Sequence, residues 1–329
     1  MPDIHGEEEH ASFVGIPTFI HAPLALTAAE LKQMKADIAI IGAPAEMVIY
    51  RPGARFGPRA IRQAGYVEHP NDYIYHMELE VHPTRILNVV DFGDAACTPF
   101  SIELSHQAIQ AKVAEALEAD TIPIVLGGDH SVTLPSATAV AQKYGFGNVG
   151  IVHFDAHADT WDSVYGSLVS HASPMRRLIE SRAVPGRNFV QVGLRGYAHG
   201  EGLQDWMRGQ GMRWHQMSEI EQRGFDAVLN DAIKEALDGP EHVYLSVDID
   251  VLDPAFAPGT GTPEPGGLAT IELLRAVRRI ASSVNLVGMD VVEVSPPYDG
   301  PAGLAADAAN RVILEAISAL AWLKTKQGS

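Results

Sequence analysis

The chain has 329 residues, 46% of them hydrophobic and 20% charged, with a formal net charge of −17; it can bury a sizeable core as one large α/β domain or two small ones. The acidic balance and the lack of a basic block exclude a nucleic-acid surface and favour cationic ligands, and no apolar run approaches the roughly 20 residues of a membrane span. A lone Cys97 excludes an internal disulfide, and the opening Met1-Pro2-Asp3-Ile4-His5 lacks a basic or apolar leader, so a cytoplasmic protein is expected.

Residues 1–36 are polar and proline-containing and read as a surface arm anchored by Phe13, Phe19 and Ile20, followed by a single domain over 37–329. Asp37 to Pro44 reads as the first buried strand, since continuous apolar runs of this length suit a parallel sheet. A loop punctuated by Gly and Pro, from Tyr50 to Arg62, leads into a helix starting near Pro58. Ile86 to Asp91 reads as a second strand, and residues 102–119 as an amphipathic helix. Strand 122–126, helix 131–144 and strand 148–154 follow, then helix 174–182, strand 189–194 and helix 225–237. Strand 242–247, helix 270–281, strand 285–294 and a terminal helix over 303–324 complete the pattern. This alternation, without a linker or repeat, predicts an α/β three-layer sandwich, a central parallel sheet flanked by helices.

The chemistry gathers after the strands, where open parallel sheets bind ligands. Gly127-Gly128-Asp129-His130-Ser131 turns sharply after strand 122–126, and glycine permits that turn. His153-Phe154-Asp155-Ala156-His157-Ala158-Asp159 follows the run 149–152. If extended, it would point Asp155, His157 and Asp159 to one face. Asp248-Ile249-Asp250 repeats the arrangement, so three strand ends offer two histidines and four aspartates. Like charges crowded in a dry pocket repel, whereas two divalent cations would balance them. Oxygen-rich donors with few imidazoles suit manganese first, and nickel as the alternative. Capping and turn formation by Asp explain such clustering poorly.

These three segments resemble the signatures of the ureohydrolase family, which includes arginase, agmatinase and guanidinobutyrase, over roughly residues 36–325. The resemblance implies an arginase-like fold and a hydrolase that cleaves a guanidino C–N bond to give urea and an amine. It implies that His130, Asp155, Asp159 and Asp248 hold one metal and Asp155, His157, Asp248 and Asp250 the other. Asp129, Asp253 and His153 are then supporting residues. Asp159 orients the nucleophile, Glu293 holds the guanidinium, and His171 passes a proton to the leaving amine. The segment Ser170-His171-Ala172 departs from relatives, which carry Gly after this histidine. The family also implies a homo-oligomer, a trimer or a hexamer.

The substrate follows from departures within the motifs. Thr160-Trp161 and Gly196-Tyr197-Ala198 stand where arginases bind an amino-acid head, so arginine is disfavoured, while Leu194-Arg195-Gly196 is similar to agmatinase-type members. Ala45-Glu46-Met47-Val48-Ile49 is more apolar than the agmatinase loop, and with Trp161 it favours a short or alkyl-bearing guanidine and counts against agmatine; the candidate substrates are agmatine, guanidinobutyrate and a small or alkylated guanidine. Alternatives are an arginase or formiminoglutamase type, or a poorly active partner subunit of a hetero-oligomer. A phosphatase is a further one, for which Arg195 and the arginines of 51–62 are the only cations at hand.

Overall fold

The structure, a computed structural model, describes residues 14–47, 50–65, 74–197 and 200–327; Phe13, Val48, Ile49 and Ala198 lie outside them. In chain order, and leaving aside short 3-10 turns, the elements are α1 (Ala28–Gln33), β1 (Ile38–Ala43), α2 (Gly57–Gln63), α3 (Pro83–Ile86) and β2 (Val89–Asp94). There follow α4 (Ile102–Glu118), β3 (Ile122–Gly127), α5 (Thr133–Tyr144), β4 (Val149–Phe154), α6 (Pro174–Glu180) and β5 (Phe189–Leu194). The remainder is α7 (Glu201–Gly209), β6 (Arg213–Gln216), α8 (Met217–Arg223), α9 (Phe225–Ala236), β7 (His242–Asp248), α10 (Thr270–Ala281), β8 (Leu286–Val292) and α11 (Leu304–Gln327).

All eight strands join one parallel sheet in the order β2-β1-β3-β8-β7-β4-β5-β6. Its two faces bury separate apolar clusters: Leu273, Val277, Ile313 and Ile317 of α10 and α11 on one side, with Val228 of α9, and Ile109, Val113, Val140 and Leu178 of α4 to α6 on the other. Strands covered on both faces must be apolar on both, which is why they read as continuous runs. The expected three layers are therefore present.

The segment ahead of β1 packs on its own chain. Phe19 and Ile20 are buried, and the Phe19 N–H donates to Asp91 Oδ2 at 2.8 Å. The same carboxylate, itself 1% exposed, accepts from Arg62 Nε at 2.8 Å and Nη2 at 3.0 Å. One buried ion pair thus joins the arm, α2 and β2.

A single row breaks the apolar pattern of the central strands. Parallel pairing sets Gln191 of β5 beside His153 of β4, His153 beside Ser246 of β7, and Ser246 beside Asp290 of β8. None of the four has any exposed surface.

Five elements escape the sequence pattern: α1, α3, α7, β6 and α8. The last strand is also shorter than expected, because Glu293 turns to a positive φ of 63° and ends β8 at Val292.

Removing one partner of a buried pair leaves the other charged and unsolvated, at a cost of about 3–5 kcal/mol. Asp91→Ala is accordingly expected to lower the urea unfolding midpoint by that much stability; an unchanged midpoint would refute the role given to this pair.

Candidate metal centre and active site

The four segments that carry the candidate residues leave four neighbouring strands, β3, β8, β7 and β4. They need no long reach to meet. Gly128 lets them approach: a Cβ there would fall 1.9 Å from the Ala45 carbonyl oxygen. The backbone instead bonds across, with Gly128 N–H to Ala43 O at 2.8 Å and Glu293 N–H to Gly128 O at 2.9 Å. Asp129 caps the turn after it, accepting from Ser131 N–H at 3.0 Å and from the Met47 N–H.

His130 lies at the centre. Its Nδ1 is 3.0 Å from Oδ2 of each of three residues, Asp155, Asp159 and Asp248. Beside it, His157 Nδ1 is 3.0 Å from Asp250 Oδ2 and 3.5 Å from Asp155 Oδ1. The extended geometry expected for 155–159 is corrected here. β4 ends at Phe154, the His157 N–H turns back onto Asp155 Oδ1 at 2.6 Å, and Asp159 takes a φ of 48°. Asp248 and Asp250 likewise do not alternate along a strand: Asp248 caps a 3-10 turn by accepting the Asp250 N–H at 2.8 Å. Convergence comes from turns, and two of the candidate residues, Asp159 and Glu293, sit in the left-handed region that side chains seldom adopt.

The row of buried polar residues fixes how His130 presents itself. Tyr244 OH and Ser246 Oγ both donate to Asp290, each at 2.7 Å. With its hydrogen committed, Ser246 Oγ accepts at 3.1 Å from His130 Nε2, so the proton of the neutral ring sits on Nε2. Nδ1 then turns a lone pair toward three carboxylate oxygens. Such an arrangement is repulsive without a cation. His130 Nδ1, His153 Nε2 and Asp155 Oδ2 are buried and have no hydrogen-bond partner in the chain, and orphaned buried polar atoms are rare. Three together, amid four carboxylates, fit a pair of divalent ions.

The charges agree. Burial alone would lower the His130 pKa, but contacts with Asp155, Asp159 and Asp248 hold it well above the usual range. His157 is likewise raised, to about 12, because Asp250 and Asp155 outweigh its burial. Burial and the neighbouring carboxylates push Asp248 well up, and burial raises Asp250. Protons thus substitute for cations when none is bound.

A cavity of about 670 Å³ opens above the cluster, and Asp159, His157, Asp248, Glu293, His171 and Trp161 all line it. His130, Asp155 and Asp250 form the buried floor beneath. Glu293 is 2% exposed; its Oε1 accepts from His130 N–H at 2.9 Å, while Oε2 has no partner. Burial, then the charge of Asp129, holds its carboxyl well above the usual range. His171 also keeps a buried Nδ1 without a partner. Its loop is tied down by Trp161 N–H to Ala172 O at 2.9 Å and Ser170 N–H to Ser173 Oγ at 3.0 Å. Asp253 stands apart, capping a turn through Ala255 and Gly266 N–H.

The outer wall was not legible as a site. Leu203, Gln204 and Met207 of α7 and Trp214 and Gln216 of β6 line the cavity. Gln191, Ser246 and Asp290 were also missed; the signal was a lone polar residue within each apolar run. Arg195 lines the cavity too, but its guanidinium donates to the carbonyls of Gly193, Asp250, Val251, Leu252, Glu264 and Pro265. Arg55 pairs with Glu46 and Arg62 with Asp91 and Asp94. The phosphatase reading loses these cations.

Comparison with known proteins agrees with the geometry. The family model described as the arginase family matches residues 36–318. Guanidinobutyrase of Pseudomonas aeruginosa is 38% identical over 295 residues, covering 89% of this chain and 89% of that one. The structure of proclavaminate amidinohydrolase from Streptomyces clavuligerus matches with a TM-score of 0.83 at 35% identity, covering 95% of this chain and 99% of that one. Formiminoglutamase of Trypanosoma cruzi, solved with Mn2+, matches with a TM-score of 0.79 at 25% identity, covering 90% of this chain and 97% of that one.

Cations that displace these protons must release them. Because the pKa values of His130, His157, Asp248 and Asp250 are all raised in the metal-free chain, affinity for divalent metal is expected to rise with pH. Calorimetric titration with Mn2+ in buffers of different ionisation enthalpy should show net proton release near neutrality; uptake without it would contradict the protonation described.

Proposed function

Because this chain belongs to the arginase family and is a hydrolase of guanidino C–N bonds, we propose that it is an agmatinase-like enzyme releasing urea from a small guanidino compound at a two-metal site. The observation that carries the assignment of ligands is His130 Nδ1 facing three carboxylate oxygens, each at 3.0 Å. His130, Asp155, Asp159 and Asp248 would hold one ion, and Asp155, His157, Asp248 and Asp250 the other. The predominance of oxygen donors supports Mn2+ over Ni2+, as does the Mn2+ in the formiminoglutamase structure.

Bound there, the ions supply Lewis acidity and a nucleophile active at neutral pH. The chain supplies the rest. Glu293 Oε2, buried and unpartnered, accepts N–H groups of the guanidinium, whose charge offsets the cost of burying that carboxylate. Asp159 orients the attacking water, and His171 delivers a proton to the departing amine nitrogen. Trp161 closes one side of the pocket against solvent.

The cavity wall bears on the substrate. Trp161, Leu203, Met207 and Trp214 are its apolar members, and the Arg195 guanidinium is already spent on carbonyls. This supports a short or alkyl-bearing guanidine. A guanidino acid is the second reading, favoured by the name of the Pseudomonas relative. A cytoplasmic location and a homotrimer or homohexamer complete the proposal, the latter open to light scattering.

Urea release from guanidine, methylated guanidines, agmatine, 4-guanidinobutyrate and arginine is the direct test. The largest kcat/KM is expected for a short or alkylated guanidine, and a preference for 4-guanidinobutyrate would favour the second reading. Asp155→Ala and Asp248→Ala should each lose bound metal and reduce turnover by at least about 10²-fold; full metal content with full turnover in either would refute the ligand set.

A further inference from the structure

The outer wall of the cavity rests on an edge strand. β6 lies at the end of the sheet beside β5, and their pairing slips by one residue between Val192, opposite His215, and Leu194, opposite Gln216. Gly193, at a φ of 109°, is the residue passed over. Successive side chains of a strand point to opposite faces. Trp214 and Gln216 accordingly line the cavity, with Leu203 and Met207 of α7, whereas His215 between them passes to the far face of the sheet and is buried there.

On that face His215 meets two helices. Its Nδ1 lies 3.1 Å from Glu219 Oε2 of α8, and its Nε2 lies 3.2 Å from Glu235 Oε2 of α9. The helices are themselves joined, because Arg223 of α8 pairs with Glu219 and with Asp231 of α9. A ring with an acceptor at each nitrogen cannot tilt or slide without losing a contact. At 6% exposure it is also sheltered from the water and salt that screen surface pairs. Arg213, by contrast, pairs with Asp238 in the open, where an ion pair fixes little.

We propose that His215 is a positioning residue for substrate selection. Braced between α8 and α9, it sets how Trp214 and Gln216 stand against the substituent that the guanidino group carries, just where the ladder to β5 is interrupted. Glu293 and the cluster beneath deal with the guanidino group itself. His215 has this role only if the cavity takes a guanidino compound, as proposed above, and it adds a demand of its own: recognition of the substituent should be separable from recognition of the guanidinium.

Guanidinium and N-butylguanidine differ in the substituent alone. Their KM values, or inhibition constants against the best substrate of the panel above where they are not turned over, are compared in wild type, H215F, E235A and E235Q. Butylguanidine is expected to bind about tenfold more weakly to H215F and to E235A. Guanidinium, with no substituent to reach the wall, should stay within about twofold in every variant, and kcat with it. The amide in E235Q can donate to or accept from the ring and should keep the wild-type ratio of the two ligands. Glu235 is a partly exposed residue of α9, so its two variants decide the matter even if H215F fails to fold. Equal losses for the two ligands, unchanged butylguanidine affinity in either H215F or E235A, or a loss in E235Q as large as in E235A would overturn the role of His215 while leaving urea release intact. A wild-type chain that binds neither ligand and releases urea from none of the panel would instead overturn the guanidino reading, and this role with it.

Discussion

Four carboxylates and two imidazoles gathered where water is largely excluded form a centre that cannot stand as bare charges. Coulomb repulsion between buried anions grows as the local dielectric falls, and His130 Nδ1 faces three of these carboxylates at 3.0 Å. The folded chain tolerates the crowd by holding protons that it gives up to cations. Everything around the site serves that exchange. The glycine turn brings the β1 and β8 ends together, the buried polar row dictates which nitrogen of His130 faces the carboxylates, and the cavity opens above Asp159, His157, Asp248 and Glu293.

The sheet order explains why so few residues suffice. β3, β8, β7 and β4 are consecutive neighbours, so their carboxyl ends are set side by side at inter-strand spacing. One short turn at each end delivers a side chain. Far-apart segments of sequence become contiguous by sheet pairing, and long loops are not needed.

Much of this was legible beforehand. The apolar runs of β1, β3, β4, β5, β7 and β8 announced themselves because both faces of those strands are covered, and the motif residues stood at their ends. What escaped was of two kinds. α7 leads into β6, the edge strand of the sheet, and of the four residues of β6, Arg213 to Gln216, only Trp214 is apolar, so there is no run to detect. Yet both supply the outer cavity wall. The local conformation after β4 and β8 also escaped, because Asp159 or Glu293 at positive φ is a tertiary outcome that residue type does not signal, and so did the 3-10 turn that Asp248 caps after β7. Alternation predicted that Asp155, His157 and Asp159 share a face; turns bring them together instead. Gln191, Ser246 and Asp290 were visible only as isolated polar residues, and their common purpose appears once the pairing of strands is known.

That pairing has a consequence for how the molecule assembles. Gln191, His153, Ser246 and Asp290 find hydrogen-bonding neighbours only when β5, β4, β7 and β8 are aligned as they are. A slip of one residue would set His153 against Leu245 or Val247 and strand each polar group in hydrocarbon, although the remaining side chains, apolar on both faces, would scarcely object. The row therefore serves as a registration mark in a sheet that otherwise has little means of telling one alignment from the next, and correct alignment and a competent metal centre arrive as a single event.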